Sequence, residues 1–488
     1  MATRRTDLVT DRALPIVETT AAPAACCEAC AAESVPGGSA TVASGPERTA
    51  TVAAGTQFVV LEPDARRSTA RLADRRVTVA GLLVSVSFLA AAVLAAILPE
   101  SVRRGAWLPI HLALAGAAGT AVASVLPFFV AALCVATPMS AVVRGGAIGL
   151  IAGGAAAASL GVAGGVEPVA LAGAITYLAG IGGVAFAALW PLRASRGQGR
   201  RLVIAAYGGA LVQVAVGVGL VIAMLAGVVP VIEAWSLLKP AHAWLNIFGF
   251  LSVVIAATLV HLAPTVVGTK IVPRRSAGIA LAGLVTGAPL IALGFALGDD
   301  RTARVGAVAE LLGALGLMAH ALAVWHDRGA WTADPGWHRL TTWSLLAAPA
   351  WFLLAVAMAA GRILWLGAIP DAWSLGSIAA PLALGWVVQI LIGAWSHLLP
   401  SIGPGDMAAH ALQRARLGRA ASWRVAALNV GVALVTLGGA LAWTAVAVIA
   451  LIVCGWVVLS SLAIFVDAAR AGRTSDMPRV PVPAVSGS

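Results

Sequence analysis

From Val77 to about Val466 the chain alternates long apolar runs with short polar segments, and almost every run is long enough to cross a bilayer as a helix. The runs cover 77–98, 107–135, 145–165, 168–191, 202–229, 241–265, 277–297, 304–325, 342–361, 376–400, 425–443 and 445–466. Twelve runs predict an all-α, polytopic membrane bundle over 77–467, because lipid leaves no partner for an unpaired backbone amide and only closed secondary structure spans it. Residues 1–76 are rich in Ala, Thr, Ser, Pro and Gly without helical or strand periodicity and read as a disordered tail. Residues 468–488 read the same way. No apolar run follows the first arginines, so the first span is expected to serve as the insertion signal.

An even number of crossings puts both termini on one side, and the basic residues test that independently. Twenty-two Lys and Arg fall on the side of the termini and six on the other, a bias that predicts cytoplasmic termini. The net charge of +11 is therefore a record of topology, with no basic face left for nucleic acid. A hydrophobic content of 60 %, charged residues at 11 % and a mean hydropathy of +0.93 exclude a water-soluble globule of this length. Thirty arginines against two lysines, with much Ala, Gly and Val, match a GC-rich bacterial coding bias and point to a bacterial plasma membrane. The lipid bilayer is the one partner that composition requires.

Candidate chemistry is concentrated in histidine. His242 and His261 lie nineteen residues apart on the sixth span, about 28 Å along a helix, so one span offers an imidazole near each membrane face. His111 joins His242 near the outer face, and His261, His320 and His397 fall in the inner half. Imidazole binds haem iron, copper and zinc and carries protons near neutral pH, and ionisable residues inside a bilayer are costly enough to suggest function. The competing reading is that the histidines of the HLxP sequences at 261–264 and 397–400 cap helix ends at the headgroups. Glu310 is the most deeply placed carboxylate and a candidate for a proton path, or a partner for Arg304. Gln213, Asn246, Gln389 and Asn429 suit hydrogen bonds between helices. His326, His338 and His410 belong to inner loops, and Cys134 and Cys454 read as packed thiols. Cys26, Cys27 and Cys30 form a CCxxC in the tail that could take a soft metal but lacks a fourth ligand nearby.

An offset of 136 residues superposes His261-Leu-Ala-Pro264 on His397-Leu-Leu-Pro400, Gly249-Phe250 on Gly385-Trp386 and Ala257 on Gly393, suggesting a duplicated four-helix unit. A third copy would begin at LPIHLALAGAAGT in the second span, where only the histidine matches.

Twelve spans, a four-span period, His111 on span two and His242-Ala-Trp-Leu-Asn-Ile-Phe-Gly-Phe on span six resemble subunit I of the haem-copper oxidase superfamily, in its C-type oxidase and nitric oxide reductase branches. Trp373-Ser-Leu-Gly followed by Leu384-Gly-Trp386 is similar to that family's tenth span. His242, Leu245, Asn246, Gly249, Pro264 and Thr265 also resemble membrane regions joined to copper oxidase or nitrite reductase domains in actinobacteria. The resemblance implies a haem ligand at His111, a copper ligand at His242 and a copper-protein or other redox partner. Span seven lacks the family's paired histidines and span ten its HxH, so the implied function is a membrane electron carrier without a complete dinuclear centre, retaining haem or copper through the surviving histidines. Oxygen or nitric oxide reduction is not implied. A secondary transporter and a non-catalytic scaffold subunit are the alternatives.

Overall fold

The computed structural model describes residues 65–194, 201–329, 338–369, 375–402 and 407–474. Cys26, Cys27, Cys30 and Trp373 lie outside them. The described residues form helices and turns with no strand, and twelve of the helices are long and apolar enough to cross a membrane. These are α1 (Arg75–Ala95), α2 (Trp107–Leu133), α3 (Ala141–Gly164), α4 (Glu167–Arg193), α5 (Arg201–Leu225), α6 (Trp235–Val266), α7 (Arg275–Leu297), α8 (Asp300–His326), α9 (Arg339–Leu366), α10 (Gly376–Ser401), α11 (Ala421–Ala440) and α12 (Thr444–Ala471). The protein is a polytopic all-α membrane bundle. The first helix begins at Ala65, so the last residues of the stretch read as tail are helical. His410 sits on a short helix, Met407–Leu417, and not in a loop. His326 closes α8 and His338 opens the ninth helix.

Three helices form the interior. In α2, α6 and α10, 67, 78 and 72 % of the most apolar stretch is buried, against at most 50 % in any other span. They meet one another, and the Trp386 indole of α10 donates to Ser252 Oγ of α6 at 3.1 Å. Each also contains a π-helical segment, Leu112–Ala118, Trp244–Ser252 and Ala380–Val388. The second and third lie 136 residues apart, the offset of the sequence matches. A glycine in each admits a bulky side chain from the helix before it: Gly116 takes Phe88, Gly249 takes Gln213 and Gly385 takes Trp351. A proline recurs near the far end of each helix, at Pro127, Pro264 and Pro400. Where α6 and α10 place His261 and His397, three residues before the proline, α2 places Ser124, whose hydroxyl donates to the Thr120 carbonyl at 2.7 Å.

The remaining helices surround these three. The closest helix pairs are the hairpins α3–α4 and α7–α8, four spans apart, and α11–α12 forms a looser hairpin at the next four-span step. In lipid no hydrophobic drive distinguishes a helix neighbour from a lipid tail, so close backbone approach through small residues does the work. Gly161 faces Ala170 and Gly283 faces Gly313 at distances that leave no room for a methyl group, and Gly438 faces Ala447 in a tight contact. The α7–α8 turn is made by Gly298, at φ 64°, and by Asp299, which caps α8 by accepting from the backbone N–H of Arg301 and Thr302.

Candidate functional site

The sector between α6 and α10 is filled by aromatic rings. Trp244 stacks on Phe248 at 4.1 Å, Phe248 meets Phe352 of α9 at 6.4 Å, and Phe352 stacks on Trp386 at 4.7 Å. All four are fully buried. The sector between α2 and α6 is open instead, and holds a cavity of about 190 Å³ walled by α2, α3, α4, α5 and α6. His111 and His242 both line it.

The two histidines are held alike. His111 is the residue just before the π segment of α2, and His242 lies two residues before that of α6. The corresponding position in α10 is Ile378, which is buried and apolar, so the third helix supplies no ligand there. His111 Nδ1 lies 2.8 Å from the Trp107 carbonyl, and its ring stacks on the Trp107 indole at 3.9 Å. His242 Nδ1 lies 2.8 Å from the Gly217 carbonyl on α5, with Trp235 at 6.4 Å. A carbonyl can only accept, so Nδ1 is the donor in both rings, and in a neutral imidazole Nε2 is then the atom with the lone pair. Among the described residues neither Nε2 has a hydrogen-bond partner. Asn246 Nδ2 approaches His242 Nδ1 at 3.1 Å, but both are donors here; its acceptor is the His242 carbonyl at 2.7 Å.

The remaining walls are largely apolar, with Ser159 on α3 and the Tyr177 hydroxyl on α4 as further polar groups. Among the described residues no Lys, Arg, Asp or Glu lines the cavity. Two imidazole Nε2 atoms, in rings each held by a contact behind Nδ1, thus lie on the wall of one largely apolar cavity.

The sequence reading joined His111 and His242 by depth alone and gave each a different partner from the family resemblance; here they share one cavity. His320 is buried beside a cavity of about 10 Å³, room for a single water, which Thr342 also lines but neither His261 nor His397 does. His261 and His397 are half-buried on α6 and α10.

Glu310 is fully buried on α8 and lies against the α7 backbone at Gly287 and Ala288. The Ala288 backbone N–H lies toward its carboxyl group, but among the described residues no hydrogen bond of ordinary geometry reaches either oxygen. Arg304 does not reach it; the guanidinium lies 3.7 Å from Asp300. Of the neutral amides, Gln213 reaches the Val285 carbonyl at 3.4 Å and Asn429 accepts from the Trp351 indole at 2.6 Å. Pro289 has no N–H to give to Val285, four residues earlier, so that carbonyl is free to accept from Gln213. Gln389 is buried without a partner among the described residues, so it is not the interhelical bridge expected. Cys134 and Cys454 are buried free thiols, as expected.

Trp107, Gly217 and Tyr177 belong to the site and were missed. Trp107, four residues before His111, left a readable signal; Gly217 and Tyr177 sit on other helices and left none. No protein-family model matches the chain, and no curated protein matches it either.

Proposed function

We propose that the protein is a membrane electron carrier built on a haem-copper-oxidase-like frame, with its redox group held between α2 and α6 by His111 and His242. The observation that carries this reading is their shared cavity, with each Nδ1 engaged behind the ring and each Nε2 left without a partner. Haem or copper fits the donor set, because both accept imidazole nitrogen and both are commonly held by histidines that hydrogen-bond through the other ring atom. When bound, such a group supplies one-electron oxidation and reduction. The chain fixes the two imidazoles through Trp107 and Gly217, excludes water with apolar walls, and among the described residues offers no charged side chain in the cavity.

The recurrence of π segments, glycines, prolines and hairpins every four spans supports descent from a repeated four-helix unit. The aromatic filling between α6 and α10 agrees with a frame that has no dinuclear centre in that sector. The distribution of Lys and Arg supports cytoplasmic termini in a bacterial plasma membrane, which puts the cavity toward the outer face, accessible to a copper-protein or other redox partner there. The test is an absorption spectrum of the purified protein with a pyridine haemochrome assay and elemental analysis. Bound haem or copper, lost on His111→Ala or His242→Ala, is expected; a protein with no Soret band and no metal contradicts the reading.

A further inference from the structure

The small cavity beside His320 is walled by α6, α8 and α9 and is separate from the one that His111 and His242 line. At about 10 Å³ it matches a single water molecule in size. Most of its wall is aliphatic, but His320 of α8 and Thr342 of α9 both line it, the first 3 % exposed and the second 1 %. The Val260 carbonyl of α6 lies toward the imidazole, yet among the described residues no hydrogen bond of ordinary geometry reaches either ring nitrogen or the Thr342 hydroxyl. Pro264 has no N–H to give to Val260, four residues earlier, so that carbonyl is free to accept. The ring nitrogen on its side is then the N–H, and in a neutral imidazole the other carries the lone pair. A buried lone pair and a buried hydroxyl, both left dry, forfeit the hydrogen bonds they make in water. Ala263, Val267 and Val324 close the cavity toward the ends of α6 and α8 as a separate apolar cluster. Past them in the chain, the Gly329 N–H donates to the Val267 carbonyl at 2.9 Å and Arg274 pairs with Asp327 at 2.5 Å.

We propose that this cavity is a binding site for one water molecule, which donates to the lone-pair nitrogen of His320 and accepts from the Thr342 hydroxyl. Water fits because it can donate to one group and accept from the other within a space that admits nothing larger, and a buried water ordinarily makes about two to four such bonds. The bridge ties α8 to α9, while the ring N–H is directed at Val260 of α6, so three spans are joined at one polar point in an otherwise apolar sector.

The test begins with a cryo-electron microscopy map of the full-length protein in lipid nanodiscs, at a resolution that shows ordered waters elsewhere. A peak within hydrogen-bond distance of both His320 and Thr342 is expected, and a map without one overturns the assignment. The second measurement is a double-mutant cycle on the melting temperature in detergent. Thr342→Val keeps the shape of the side chain and removes the hydroxyl, so it should lower the melting temperature of the parent. In a His320→Leu background, where the water has already lost its acceptor, the same change should cost nothing or raise it. Thr341→Val is the control: Thr341 is buried on the same helix but does not line the cavity, and its effect should be the same in both backgrounds. An equal shift from Thr342→Val in the two backgrounds overturns the water bridge. If gel filtration shows that His320→Leu fails to fold, the map of the parent decides by itself.

Discussion

At the scale of single residues, the site depends on contacts behind the histidines as much as on the histidines themselves. Gly217 presents its carbonyl to His242, and a methyl group at Gly217 would overlap the Asn246 side chain. Gly217→Ala is therefore expected to weaken cofactor affinity by about 10–100-fold, the usual cost of disturbing a ligand's hydrogen-bond partner, without changing the helix count. Metal titration checks the affinity and circular dichroism the helicity. Glu310 makes the opposite kind of case. An amide of the same shape keeps an acceptor oxygen toward the Ala288 N–H and loses no hydrogen bond of ordinary geometry, so Glu310→Gln should leave the melting temperature in detergent unchanged or higher. Gly287→Ala, whose Cβ would lie 2.6 Å from the Glu310 backbone nitrogen, should lower stability by about 1–3 kcal/mol. A lower melting temperature for Glu310→Gln would mean that the carboxyl has a partner after all.

At the scale of elements, lipid explains why so much was legible. The spans had to be continuous apolar runs, and all twelve were readable from hydropathy because the bilayer imposes the same length on each. Their ends moved by a few residues where interfacial Trp and Arg extend a helix, as at Trp235 of α6. The π segments were not legible, since an extra residue per turn leaves no change in hydropathy. What had shown in the sequence was their shadow, Gly249 matching Gly385 at a fixed offset. The α7–α8 hairpin supplies a test outside the membrane. Asp299 accepts from the Thr302 hydroxyl and from backbone N–H groups, and these hold its carboxyl below the usual carboxylate range. A depressed folded-state pKa gives stability that is present above the unfolded value and disappears as pH falls through the folded one. Asp299→Ala should therefore lower the melting temperature near neutral pH, and the gap from the parent should close in acid. A gap independent of pH would show that the charge is irrelevant to the cap.

At the scale of the whole molecule, sequence could place histidines at two depths but not around a common point. His111 and His242 are 131 positions apart in the chain, and they line one cavity because α2 and α6 are both interior helices with a histidine one or two residues before a π segment. His261 and His397 share a register in the sequence, and register fixes depth while leaving direction open. The orientation in the membrane follows from the basic residues and is testable separately: reporter fusions or cysteine labelling should find the loop between α2 and α3 on the side of the termini and the loop between α7 and α8 opposite. The proposed redox site is a single cavity between α2 and α6. Its most direct measurement is the copper and haem content of the full-length protein and of its His111→Ala/His242→Ala variant, purified side by side. One redox group per chain in the parent and none in the variant is the predicted result; equal content in the two, or none in the parent, would contradict it.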